Sequence, residues 1–195
     1  MAKIALWIKE LRAPFMLLTA VSVSLGLAAA WRSGHFAALE AGLTLLGVLL
    51  LHAGVNVLND YFDYRSGIDL RTHPTPFSGG SGILPGKLLS PRDVYRAGLA
   101  FTASGITIGL FFVFTKGVPV LLFLLPAALS VFCYSTTLAP RGLGEFAAAV
   151  SFGPLVVGGS YYVQTLRFDL EPILLGVSQG IMVGAILFLN EFPDV

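Results

Sequence analysis

His52, Asn56, Asn59, Asp60 and Asp63 recur at intervals of three, four and seven residues. At about 100° per residue they share one arc about 100° wide on a helix, so an otherwise apolar stretch carries one polar face. A second group, Asn190-Glu191-Phe192-Pro193-Asp194, repeats the order amide, acid, aromatic, any residue, aspartate of Asn59-Asp60-Tyr61-Phe62-Asp63. Each group puts an amide and an aspartate at i and i+4, on one helical face, and each directly follows an apolar run. Carboxylate and amide oxygens are hard donors suited to Mg2+, which commonly bridges protein carboxylates to substrate phosphates. A metal-held diphosphate leaves readily because the metal neutralises charge as it develops. At the end of an apolar helix, that chemistry points to a lipid diphosphate, its tail among apolar elements and its head among the aspartates.

The elements that must position these groups follow from composition. Of 195 residues, 55% are hydrophobic and 12% charged, with a mean hydropathy of +0.81. Soluble domains carry about 25% charged residues and could not hide this much apolar surface at this length. Disorder needs low hydrophobicity and high charge. A net charge of +1 without a basic face excludes a nucleic-acid partner, and one cysteine, Cys133, cannot build a disulfide scaffold. The chain reads as an all-α polytopic bundle whose partner is the lipid bilayer.

Six stretches reach the roughly 20 apolar residues of a membrane helix: 13–31, 37–58, 94–115, 118–134, 143–163 and 170–189. With the N-terminus cytoplasmic, the inner segments hold nine basic residues, Lys3, Lys9, Arg12, Arg65, Arg71, Lys87, Arg92, Arg96 and Arg141, against Arg32, Lys116 and Arg167 outside. This bias follows the positive-inside rule and predicts an integral protein of an inner or plasma membrane with its site on the cytoplasmic face. Four crossings lie between the two acidic groups, so both emerge on that face. Ala28-Ala29-Ala30 behind basic residues and an apolar run has the outline of a signal peptide. The run is long for one and further spans follow at once, so it is read as the first span.

The segment from Asn59 to Arg92 is the one long connection, polar and rich in Gly and Pro, of the kind that carries function in compact proteins. Arg65, Arg71 and Lys87 in it are candidates for phosphate oxygens and equally for topogenic charge. Ser78-Gly79-Gly80-Ser81-Gly82 reads either as a nest of N–H groups for an anion or as a hinge. His52 alone is expected to be satisfied by a neighbouring helix. Arg141 and Glu145 are expected to form an i,i+4 ion pair, and Tyr161 and Tyr162 to anchor at the outer interface.

The run from Asn59 through Asp63 to Asp69 resembles the first aspartate-rich motif of the UbiA superfamily of intramembrane aromatic prenyltransferases, and Asn190-Glu191-Phe192-Pro193-Asp194 resembles the start of its second. The Asp63–Asp69 spacing, Tyr134 followed by Arg141-Gly142-Leu143-Gly144-Glu145, and Gly82-Ile83-Leu84-Pro85-Gly86-Lys87 are similar to the 1,4-dihydroxy-2-naphthoate (menaquinone-type) branch. The resemblance implies about nine membrane helices, each of about 20 residues, around a cavity. In such enzymes Mg2+ ionises a polyprenyl diphosphate to an allylic cation, which an aromatic acceptor attacks. It implies that Asn59, Asp60, Asp63, Asn190 and Asp194 serve the metal, and that Asp63, Asp69 and Asp194 are catalytic. Arg12, Asn56, Arg65, Arg71, Lys87, Tyr134 and Arg141 would contact substrate.

Three departures from the superfamily pattern stand out. Gly67 occupies the usual place of the last aspartate of the first motif, with Asp69 as its substitute, and Leu138 stands where the hydroxybenzoate branch has a lysine. The chain also stops at Val195, inside the second motif. Residues 1–195 are therefore expected to form a single membrane domain, the N-terminal two-thirds of such an enzyme, inactive unless complemented. The alternatives are another UbiA-type prenyltransferase, for 4-hydroxybenzoate or another lipid acceptor, and a cation transporter. A transporter would place its acids near the bilayer midplane on broken helices.

Overall fold

The structure, a computed structural model, describes residues 3–69 and 80–191, the last two as backbone only. Every regular element among the described residues is helical, as it must be where hydrocarbon leaves backbone groups no partner but the segment itself. A short helix α1 (Lys3–Glu10) leads through a turn at Ala13–Phe15 into α2 (Met16–Arg32). Then follow α3 (Ala38–Ser66), α4 (Pro91–Lys116), α5 (Leu121–Cys133), α6 (Gly144–Val150), α7 (Val156–Thr165) and α8 (Leu170–Glu191). Among the described residues, six segments are long and apolar enough to cross a membrane: Ala13–Arg32, Ala38–Ser66, Pro91–Lys116, Val118–Arg141, Gly144–Thr165 and Leu170–Leu189. They coincide with the six read from the sequence.

At its far end α3 continues past the apolar span's limit at residue 58 to Ser66, so the whole first acidic group lies on helix, as its spacing predicts. Gly67 stops it. With φ +81° it enters the left-handed region, and its N–H bonds Tyr64 O at 3.2 Å while Ile68 N–H bonds Asp63 O at 3.1 Å. This is the Schellman closure that glycine permits without a Cβ clash. The next helix starts on a matching signal: Ser90 Oγ accepts Asp93 N–H at 3.1 Å, with Pro91 behind the cap.

The spans pack through small residues. At Gly105 of α4 an added Cβ would lie 2.9 Å from the Gly47 carbonyl of α3, and at Gly98 it would lie 2.8 Å from Leu58 Cγ. Backbones approach this closely in membranes because packing, rather than apolar burial, drives association there. Wide π turns at Tyr134–Leu138, after α5, and at Ser151–Leu155, joining α6 to α7 across Pro154, interrupt the spans. Such turns form where a proline removes a ladder N–H, and they commonly lie at functional sites.

Polarity runs opposite to that of a soluble fold. Phe114, Leu122, Leu129, Phe146, Ile181 and Met182 face outward, while Thr19, Ser22, His52, Thr102 and Gln179 are buried. Thr19 Oγ1 lies 2.7 Å from His52 Nδ1, so His52 is partnered by a neighbouring helix as expected. Two other expectations fail. Arg141 ends one span and Gly142, at φ +66°, turns the chain before Glu145. The two are thus not on one helix, and Arg141 Nη1 instead donates to Thr137 O at 2.8 Å. Tyr161 and Tyr162, in the last turn or so of α7, are buried among helices rather than turned outward as anchors: Tyr161 donates to Asp169, and Tyr162 packs against Phe168 at a ring separation of 4.7 Å.

Candidate active site

A cavity of about 380 Å3 runs through the bundle, lined mainly by apolar side chains, within the range of pockets that hold small ligands. Its longest wall is one face of α3. Thr44, Gly47, Val48, Leu51, His52, Val55, Asn56, Asn59 and Asp63 all line it, the i, i+3, i+4 succession of one helical stripe. From Thr44 to Asp63 that wall is about 28 Å long at 1.5 Å per residue, close to the hydrocarbon thickness of a bilayer. Its amides and its carboxylate, Asn56, Asn59 and Asp63, gather at one end.

At that end Asn59 Nδ2 donates to Asp63 Oδ2 at 2.7 Å and to Ser135 Oγ at 3.1 Å. Both amide hydrogens are thereby used, which leaves the Asn59 carbonyl oxygen and Asp63 Oδ1 as the atoms of the pair uncommitted among the described residues. Ser135 reaches Asn59 because it sits in the first π turn, and Tyr134 beside it lines the same cavity. Asp69, just past Gly67, is buried against the cavity. A Cβ on Gly80, at φ +75°, would stand 2.9 Å from both Asp69 carboxylate oxygens, so a side chain there would be strained in its backbone and would push that carboxylate aside. The last turns of α8 reach the same wall through Val183, Ile186 and Leu187, one turn before the Asn190 backbone.

Asp60, on the adjacent face of α3, is not part of the cavity wall. It is fully buried: Oδ1 accepts Ser81 N–H at 2.8 Å and faces Arg12 Nη2 at 3.5 Å, while Oδ2 lies 2.8 Å from Ser81 Oγ. Ser81 Oγ also accepts Ile83 N–H at 3.0 Å and lies 2.9 Å from Glu10 Oε2. The anion served by the Ser81 N–H is therefore the protein's own carboxylate. A hydroxyl has one hydrogen and cannot satisfy both carboxylates. Burial, reinforced by the Asp60 charge, pushes the Glu10 carboxyl up to about 8, so Glu10 keeps its own proton at neutral pH.

Arg12 links this cluster to the cavity, whose wall it joins. Its backbone is left-handed at φ 51°, ψ 51°, which costs a non-glycine residue about 1–2 kcal/mol. Asn56 Nδ2 donates to the neighbouring Leu11 O at 3.1 Å and holds the same corner.

The remaining candidates divide. Arg65, Lys87 and Arg141 are exposed and absent from the cavity wall. Arg71 and Asp194 lie outside the described residues, as does the Asn190 side chain. No group of three or more His, Cys, Asp or Glu side chains is gathered for a metal among the described residues. Asn59, Asp63 and Asp69 nevertheless bring hard oxygen donors to one mouth, and Mg2+ commonly takes one or two carboxylates with the rest from water and phosphate. Glu10 and Ser135 are absent from the sequence-derived set, with partners 71 and 76 residues away; Ser81 belongs to the run read as an anion nest or hinge, but no local pattern announces its partner Asp60, 21 residues away.

A family model described as the UbiA prenyltransferase family matches residues 17–195. A 1,4-dihydroxy-2-naphthoate octaprenyltransferase of Haemophilus influenzae is 29% identical over 206 residues, covering 99% of this chain and 65% of that protein. The protein of the same name from Escherichia coli is 28% identical, covering 97% of this chain and 63% of its own length. A 2-carboxy-1,4-naphthoquinone phytyltransferase of Synechocystis is 26% identical, with 97% and 61% covered. The chain thus spans less than two thirds of the length of these relatives.

Proposed function

Because the chain belongs to the UbiA prenyltransferase family, we propose that it serves the transfer of a polyprenyl group from polyprenyl diphosphate to an aromatic acceptor, 1,4-dihydroxy-2-naphthoate. The observation that carries this reading is the single stripe of α3, which leads from the oxygen donors Asn59 and Asp63 along the apolar length of the cavity. The names of the relatives from Haemophilus and Escherichia support the naphthoate acceptor and an octaprenyl chain.

In this reading Asn59, Asp63 and Asp69 hold Mg2+, joined by Asn190 and Asp194 of the second acidic group. The ion would supply neutralisation of the charge that develops on the departing diphosphate. Ser135 positions the Asn59 amide, and the Asn59–Asp63 bond orients the carboxylate that would hold the ion. Arg12 and Asn56 face the phosphate oxygens. The apolar wall receives the prenyl chain and keeps water from the allylic carbon, so that the aromatic carbon rather than water forms the new bond as the carbon–oxygen bond to diphosphate breaks. In the naphthoate branch the acceptor loses its carboxylate in the same overall exchange. The site faces the cytoplasm, in keeping with the basic residues of the inner segments.

The test is binding of a non-hydrolysable polyprenyl diphosphate analogue to the detergent-purified chain, with and without Mg2+. The reading requires binding that depends on Mg2+ and drops at least about tenfold in Asp63→Asn. Binding indifferent to both would refute it. Product analysis with 1,4-dihydroxy-2-naphthoate and 4-hydroxybenzoate, in the presence of the segments that relatives carry beyond this length, then decides the acceptor.

A further inference from the structure

Asp60 stands beside Asn59 in sequence and has the chemistry of a metal ligand, but all its surroundings are already protein. One oxygen meets the Ser81 N–H and the Arg12 guanidinium, the other meets the Ser81 hydroxyl, and the carboxylate is fully buried off the cavity wall. A cation could reach it only by displacing Arg12 and Ser81. Arg12 is in the opposite condition. Asp60 is its one salt-bridge partner within 4 Å among the described residues, and its Nε is buried with no hydrogen-bond partner among them. A guanidinium has five N–H donors in a fixed fork; here one edge is held from behind while the group stands in the cavity wall. The backbone supports the same conclusion. Arg12 is held in a left-handed conformation at the α1–α2 corner, and such strain persists where the surroundings over-determine it, commonly at ligand clamps. Here the surroundings are Asn56 on the Leu11 carbonyl and Asp60 on the guanidinium.

We propose that Asp60 is a positioning residue rather than a metal ligand: backed by Ser81 and Glu10, it holds the Arg12 guanidinium at the cavity wall, where it receives the anionic end of the substrate. The proposal rests on the diphosphate reading of this mouth. The latch joins three separate pieces of chain: Glu10 closes α1, Asp60 belongs to α3, and Ser81 starts the descent towards α4. The corner that carries Arg12 is thereby referred to the same helix that carries Asn59 and Asp63. A metal ligand and a guanidinium can then share one diphosphate, since both are registered against α3 and Asp60 keeps the cation-binding and arginine-binding roles on separate faces of it.

The test is a double-mutant cycle on the full chain in detergent, with farnesyl thiodiphosphate as the probe and Mg2+ titrated at each step. Asp60→Asn and Arg12→Gln are each expected to raise the probe's Kd about tenfold or more at saturating Mg2+, with the Mg2+ midpoint unmoved. The double variant is expected to be no weaker than Arg12→Gln alone, because the two act through one contact. Ser81→Ala should weaken binding in the same direction and to a smaller degree. A shift of the Mg2+ midpoint in Asp60→Asn matching that of Asp63→Asn overturns the proposal, as does a loss that adds to that of Arg12→Gln. If Asp60→Asn does not fold, the cycle of Ser81→Ala with Arg12→Gln takes its place under the same criteria. Wild-type chain that binds no probe at any Mg2+ concentration overturns the diphosphate reading itself, and this inference with it.

Discussion

Glu10 binds a proton in the folded protein that it releases far more readily when unfolded. Its carboxyl sits at about 8 in the fold against an ordinary value of 4.5, so between these values the native state carries more protons than the unfolded one. Stability then falls as pH rises through that window and levels off above it. Thermal unfolding in detergent at pH 5 and pH 8.5 is expected to show this decline, and Glu10→Gln, which mimics the protonated acid, is expected to flatten it. A second buried pair behaves differently. Removing either Thr19 or His52 strands the other in an apolar interior, at about 1–3 kcal/mol. The double variant Thr19→Val with His52→Leu should cost less than the sum, measured by the same unfolding. Sequence alone supplied the Asn59–Asp63 pair, because i,i+4 spacing places both on one face. It could not supply the sorting of Asp60 from Asp63: that depends on Ser81 and Arg12 arriving from elsewhere in the chain.

Among the elements, the six spans were legible because about 20 apolar residues in hydrocarbon have no alternative to a helix. The polar stripe to Asp63 was legible as helix from its spacing, but the end of α3 at Ser66 was not, since nothing apolar marks it. What ends the helix is a backbone conformation at Gly67. Gly67→Ala places a Cβ at φ +81° in open space, so strain alone acts, costing about 1 kcal/mol. The α3–α4 contact is tighter. In Gly105→Ala the new methyl meets the Gly47 carbonyl at 2.9 Å, and backbone cannot yield as a side chain does. A loss of about 1–3 kcal/mol in unfolding is expected. Gly42→Ala in the same helix pair meets nothing within 4 Å and should be neutral or slightly stabilising. The π turns also escaped the sequence reading; a proline such as Pro154 announces an interruption but not the wider turns that bring Tyr134 and Phe152 to the cavity.

For the whole molecule, the outward apolar side chains fit a bilayer, and the proposed cytoplasmic site rests on the uneven basic residues. In a Cys133→Ser background, a cysteine at Leu88 should react with an impermeant maleimide only from the cytoplasmic side, and one at Gly34 only from the opposite side. The reverse pattern would place the cavity mouth on the wrong face for a cytoplasmic substrate. The stripe on α3 has one further, mechanical consequence. Its oxygen donors and the deep end of the hydrocarbon wall are points on a single rod without proline or break between Ala38 and Ser66, so head and tail of a bound molecule are gauged against one fixed jaw. Whatever movement admits the one and releases the other belongs to the opposing walls: a spin-label distance taken along α3 stays constant from empty to loaded protein, and distances from α3 to the Arg12 corner and to the two π turns register the opening.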